Sequence, residues 1–191
     1  MIEQSVSRCS WPTKDEIYVT YHDEEWGRPV HDDSRLFEQL VLEGAQAGLS
    51  WITILKRRHH YRRVFCEYNL PRLASFTETD VATALQDKGI IRNRLKVQSV
   101  VNNAEKFMAV QKEFGSFDAY IWGFVDGATL ANNFTHDDQI PAQTELSVKI
   151  AKDLKKRGFK FVGPIGMYAY MQSIGMVNDH VTSCFCHHQC I

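Results

Sequence analysis

Apolar positions recur every three to four residues through most of this chain and almost nowhere every second residue, a pattern that predicts helices. Over residues 34–47, steps of about 100° per residue place Leu36, Leu40 and Ala47 on one face, with Phe37, Val41 and Gly44 beside them. Ser34 is the expected N-cap and the stripe fades at Gly48. Ser50 can cap the next helix, expected over residues 51–65. Pro71 suits the first turn of a short helix. Thr77 and Asp80 resemble a capping box for a helix over 81–87 that Gly89 stops. A long helix is expected over 92–114, ending at Gly115, followed by a shorter aromatic-rich one over 117–125. Residues 127–144 read as a polar connecting loop. Helices over 145–157 and from Pro164 to Gly175 flank a tight turn at 159–163. With no alternating strand pattern and no repeat, the expectation is an all-α domain whose two ends pack together.

Within the 34–47 stripe one position breaks the apolar rule. Glu43 falls inside the face that should be buried, and a carboxylate buried without a partner is costly. Tyr18, Tyr21 and Trp26 lie upstream and Trp51 follows closely. An acid among rings suits a flat, electron-poor ligand with N–H groups, such as a cationic heterocycle. The bland alternatives are core aromatics and a structural ion pair from Glu43 to Arg92.

At 191 residues the chain fits one domain able to bury about 70% of its unfolded surface. No stretch approaches the roughly 18 apolar residues of a membrane span. The N-terminus carries no apolar segment of the secretory kind. Five cysteines, three of them at or beyond position 184, point to reduced thiols or metal ligands and to the cytoplasm. Net charge is −1 and pI about 6.7, so no whole-molecule field attracts a polyanion. Positive charge is clustered nevertheless, in KRRHHYRR (56–63) and KDLKKRGFK (152–160).

Cys9 and His22 lie near one terminus, His180 and Cys184 near the other. Two imidazoles and two thiolates make a closed tetrahedral zinc shell, the structural kind, which leaves no open position for a catalytic water. Cys186, His187, His188 and Cys190 are competing ligands on spacing alone. KKRGFKFVGPIG joins two helices through Gly158 and Gly163. Lys155, Lys156, Arg157 and Lys160 add charge beside a helix N-terminus, so the segment reads as a helix-hairpin-helix clamp for the DNA backbone.

With those residues in hand, the chain resembles the 3-methyladenine DNA glycosylase I family, bacterial enzymes of constitutive alkylation repair. The resemblance runs from about Cys9 to Cys186. It is carried by CSW at Cys9, YHDEEWG at Tyr21, LEGAQAGLSWITILKRR from Leu42, GIIRNRLK from Gly89, KKRGFKFVG from Lys155 and VNDHVTSC from Val177. It implies a helix-hairpin-helix fold over residues 1–191, two helical lobes with a base pocket between them. It also implies one structural zinc on Cys9, His22, His180 and Cys184, with the tail residues bystanders. Base contacts fall to Glu43, Trp11, Tyr18, Tyr21, Trp26 and Trp51, with Glu43 and Tyr21 the expected catalytic pair. Many members of the wider superfamily carry an aspartate where this chain has Asn178; Asp179, one residue along, is not given its role.

The expected function is hydrolytic excision of 3-methyladenine from double-stranded DNA by a cytoplasmic monomer, without strand cleavage. Two other classes compete: a zinc-stapled DNA-binding module without activity, and a zinc hydrolase.

Overall fold

A computed structural model describes residues 6–190; the outermost ends of the expected 1–191 domain lie outside the described residues. Ten α-helices account for most of it: α1 (Glu16–Glu24), α2 (Asp33–Gln46), α3 (Trp51–Leu55), α4 (Arg58–Val64), α5 (Leu70–Ala74), α6 (Glu78–Ala84), α7 (Arg94–Phe114), α8 (Phe117–Trp122), α9 (Glu145–Lys156) and α10 (Pro164–Ser173). The all-α expectation holds, with one small addition. Leu130–Ala131, inside the segment read as plain loop, pairs in parallel with Val177–Asn178, Leu130 against Val177. Strands of two residues are too short to leave an alternating pattern.

Helix α2 is the axis of the molecule. It packs against α3, α7, α8 and α10, and every residue from Leu36 to Ala45 is buried. The sequence suggested one apolar stripe; surrounded on all sides, the helix buries its polar residues too. Its N-cap lies two residues earlier than expected: the side chain of Asp32, not Ser34, accepts from Arg35 N at 2.9 Å. Asp33 then accepts from Gln111 Nε2 (2.7 Å), Phe117 N (2.9 Å) and Asp118 N (2.8 Å), tying this end to α7 and α8. At the other end Lys96 Nζ donates to the carbonyls of Ala45 (2.8 Å) and Ala47 (2.7 Å), groups the helix itself leaves unpaired.

Other boundaries moved for local reasons. The expected 51–65 helix is two, broken at Lys56–Arg57. Thr77 and Asp80 do form a capping box, which starts α6 at Glu78 rather than at 81. Helix α1 was missed: Ile17, Val19 and Thr20 are poor helix formers, and its N-cap makes no side-chain bond. Helices α9 and α10 form the expected pair around a turn. Gly158 has φ +91°, a left-handed backbone that suits glycine. The turn is pinned from α7, where Asn103 pairs with both N (2.9 Å) and O (3.0 Å) of Lys160, and Asn102 donates to Gly158 O at 3.0 Å. The chain ends meet as expected: Phe185 N donates to Ser7 O at 3.0 Å.

Replacing Lys96 with Met keeps the apolar stem but leaves two carbonyls unpaired. The expected cost is about 1–3 kcal/mol, a Tm fall of roughly 3–10 °C; an unchanged melting curve would refute this role for the ammonium.

Candidate active site and metal centre

Glu43 projects from the third turn of α2 into a cavity of about 400 Å³. The α1 side supplies Tyr18, Tyr21 and Trp26, the segment before it Trp11, and the first residue of α3 Trp51. Opposite stands one face of α10, in which Ile165, Tyr168, Ala169 and Gln172 recur at helical spacing. The rings contact one another along the wall. Trp11 lies 5.1 Å from Tyr18 and 5.0 Å from Trp26, and Tyr21 lies 5.3 Å from Trp51, all tilted or edge-on. The structure thus brings all six expected residues around one space. A second recess of about 500 Å³ shares Glu43 and Gln46, and its rim carries the exposed side chains of Leu49, Phe161 and Ile165.

Glu43 is only 6% exposed, and its Oε2 has no hydrogen-bond partner among the described residues. No ion pair to Arg92 or any other cation forms among them. Glu38, five residues earlier on the same helix, shows the contrast, since Arg62 holds both its oxygens at 2.7 and 2.8 Å. Burial without compensation pushes the Glu43 carboxyl up from 4.5 to about 8. Burial likewise raises the Tyr21 hydroxyl, and the nearby Glu43 adds to it. Trp11 Nε1 and Trp51 Nε1 are also buried without acceptors among the described residues. Such a concentration of unmet polar atoms belongs to a site that awaits a polar ligand.

Several lining residues were not foreseen. Gln46, Tyr168 and Gln172 lie on helices whose phase, combined with that of Glu43, would have indicated them. Asp137 comes from the connection between the first short strand and α9 and left no signal. Its Oδ2 accepts from both N and Oγ of Ser10, while Oδ1 is buried and unpaired. Asn178 donates to His187 O at 2.8 Å and so belongs to the structure of the tail. Asp179 turns toward α10, wholly buried.

Behind Trp26 and Trp11, Cys9, His22, His180 and Cys184 converge, all buried, with ligand atoms within 4.8 Å of one another. Cys9 Sγ and Cys184 Sγ lie 3.6 and 3.5 Å from His180 Nδ1, and Cys184 Sγ lies 3.6 Å from His22 Nε2. A tetrahedral zinc with ordinary Zn–S and Zn–N bonds has S···N edges of about 3.6 Å, so the donor set fits that ion. Each imidazole is oriented through its other nitrogen, His22 Nδ1 by Asp23 at 2.7 Å and His180 Nε2 by the Trp26 carbonyl at 3.0 Å. Of the competitors, His187 meets the Asn132 carbonyl at 3.0 Å and Cys186 faces the carbonyls of His22 and Asp23. A second grouping of His22, Asp23 and Cys186 shares one ligand with the first and so cannot fill beside it.

The two basic runs differ. In KRRHHYRR every cation is engaged: Lys56 with Asp15, Arg58 with Glu25, Arg62 with Glu38, Arg63 with Asp87, and Arg57 with the carbonyls of Lys88 and Gly89. In the second run Arg157 is similarly held by Glu113 and Asp153. Lys152, Lys155, Lys156 and Lys160 are exposed and make no ion pair among the described residues.

Fold and site together define a helical protein built around a ring-walled pocket with an unpaired acid, sized for one heterocycle. A family model described as methyladenine glycosylase matches residues 11–187, and the chain belongs to that family of N-glycosyl hydrolases. It is 43% identical to DNA-3-methyladenine glycosylase 1 of Escherichia coli over 182 residues, 95% of this chain and 97% of the relative. A crystal structure of a 3-methyladenine DNA glycosylase I superposes with a TM-score of 0.93 at 48% identity, covering 95% of this chain and 100% of the other. The Staphylococcus aureus enzyme, solved for its recognition of 3-methyladenine, gives 0.91 at 32%, covering 93% and 95%. The alternative of a module without enzymatic activity gives way to this membership.

The shift of Glu43 fixes a sign for stability. Between about 4.5 and 8 the native protein holds a proton that the unfolded chain has released. This stabilisation is complete below 4.5 and is lost as pH rises through 8, by about 1.4 kcal/mol per pH unit. Glu43→Gln is therefore expected to match the wild type in chemical denaturation at pH 5 and to exceed it by a few kcal/mol at pH 9. A difference that does not change with pH would contradict the burial assigned to this acid.

Proposed function

We propose that the protein excises 3-methyladenine from double-stranded DNA by hydrolysis of the N-glycosyl bond, leaving an abasic site and cutting no strand. The single observation that supports this best is the unpaired, buried Glu43 among rings. A base must leave the stack to reach such a pocket. Methylation at N3 makes adenine cationic and weakens its bond to the sugar, so the leaving group needs little help. Selection then becomes the main task.

The magnitudes favour Glu43 for it. An ion pair at ~4 Å with an effective dielectric of ~20 is worth about 4 kcal/mol. With the acid titrating near 8, ionising it at pH 7 costs about 1.4 kcal/mol. A cation thus gains roughly 2–3 kcal/mol over a neutral base, or about a hundredfold. The advantage fades as charge leaves the base during cleavage, so Glu43 serves binding more than barrier lowering. Tyr21, beside it, is the group we assign to orienting the sugar or base. None of the residues lining the cavity is a lysine among those described, which supports a monofunctional enzyme without a Schiff base.

In this reading α9, the Gly158–Gly163 turn and α10 act as a helix-hairpin-helix clamp on the phosphate backbone. Backbone N–H groups and Lys155, Lys156 and Lys160 would make the contacts. Arg157 instead shapes the turn through its ion pairs. Cys9, His22, His180 and Cys184 would hold one structural zinc, which supplies cross-linking of the chain ends and no reaction step. A cytoplasmic monomer suits this role.

Three outcomes test the reading. Alkylated duplex DNA should release free 3-methyladenine, with kcat/KM falling on the acid side of pH 8, and Glu43→Gln should lower kcat/KM by about a hundredfold while staying folded. Borohydride should trap no protein–DNA adduct; a covalent product would overturn monofunctionality. Elemental analysis should give close to one zinc per chain, and its removal should lower Tm; native protein free of metal would refute the staple.

A further inference from the structure

Beneath the α10 wall lies a carboxylate that the reaction above does not use. Asp179 is fully buried and accepts three side-chain hydrogen bonds: from Asn132 Nδ2 at 2.6 Å on one oxygen, and from Tyr168 Oη at 2.7 Å and Gln172 Nε2 at 2.8 Å on the other. Two of these donors, Tyr168 and Gln172, line the cavity that holds Glu43. An amide side chain can ordinarily turn over and show a ligand either its oxygen or its NH₂. Here it cannot. The carboxylate only accepts, so Nε2 is fixed toward Asp179 and Oε1 is left outward, with no partner among the described residues. The hydroxyl proton of Tyr168 is committed in the same direction, leaving its oxygen able only to accept.

We infer that Asp179 is a positioning residue that makes Gln172 a fixed acceptor, and that Gln172 is a specificity-determining residue for the purine's six-position. This rests on the base-excision reading above and names its selectivity. Gln172 on α10 and Glu43 on α2 then offer acceptors from two sides of one cavity. A base with an exocyclic 6-amino group has protons for them. A 6-oxo purine such as 3-methylguanine, though equally cationic, turns a carbonyl oxygen toward Gln172 Oε1. Charge attraction to Glu43 cannot separate the two bases; a locked amide can. An unmet polar contact of this kind is worth about tenfold or more.

The test is the ratio of 3-methylguanine to 3-methyladenine released from one sample of methylated duplex DNA, which cancels losses common to both. In Asp179→Asn the new amide can donate, Gln172 is free to turn and offer Nε2–H to the cavity, and the ratio is expected to rise about tenfold. In Gln172→Met the opposing oxygen is gone, so the ratio should rise while 3-methyladenine release falls. Since Asp179 adjoins His180, folding and zinc content are measured beside activity, and the Gln172 variant decides the matter if the Asp179 variant does not fold. An unchanged ratio in folded variants overturns the inference while leaving the excision reading intact. Failure of the wild-type protein to release either base would instead sink the excision reading itself.

Discussion

The structure turns on one helix being enclosed on every side. Because α2 is wrapped by α3, α7, α8 and α10, each polar residue along its buried length must find a partner or remain unmet. Glu38 finds Arg62. Glu43 finds no partner for Oε2 among the described residues, and the unpaired acid raises the free energy of the empty protein. In the proposed reading its partner arrives from outside, as a flat cationic base between the surrounding rings. A stability defect and a recognition site are here the same atoms.

The elements around α2 hold that defect open. Asp33 and Lys96 fix its two ends, and Asn102 and Asn103 pin the α9–α10 turn from α7, so the cavity walls are not free to collapse onto the acid. The cysteine–histidine cluster works from behind. Cys9 is two residues from Trp11, and His180 is held by the Trp26 carbonyl, with its ring 4.6 Å from that indole. A metal centre that does no chemistry would therefore still govern where two walls of the pocket stand.

How far the sequence could be read depended on whether a feature was local. Helix phase put Glu43 on an inward face, and capping chemistry placed Thr77 and the α9–α10 pair, because those signals lie within a few residues. The four clustered ligands could be suspected from their chemistry, although spacing alone left Cys186, His187, His188 and Cys190 as rivals; the family resemblance chose among them, and the geometry brings the same four together. What escaped notice was assembled from distant pieces. Asp137 reaches the cavity from a loop tied down by Ser10, Tyr168 and Gln172 enter only once α10 is docked on α2, and the Asn102–Asn103 clamp joins segments more than 50 residues apart. Helix α1 was hidden for another reason: its β-branched residues argue against the conformation that tertiary packing imposes.

The internal neutralisation of KRRHHYRR bears on how the molecule would travel. Among the described residues, only Arg57 of that run, held by carbonyls, keeps an uncompensated charge to displace the counterions that surround a duplex, and each phosphate neutralised steepens the dependence of affinity on salt by a power of roughly 0.9. In the proposed reading, a chain of net charge −1 that meets phosphate mainly through Lys155, Lys156 and Lys160 would touch a polyanion briefly and let go readily. Weak attachment of that sort favours many short inspections over a long residence at any one place, and leaves the buried acid to decide where the encounter lasts.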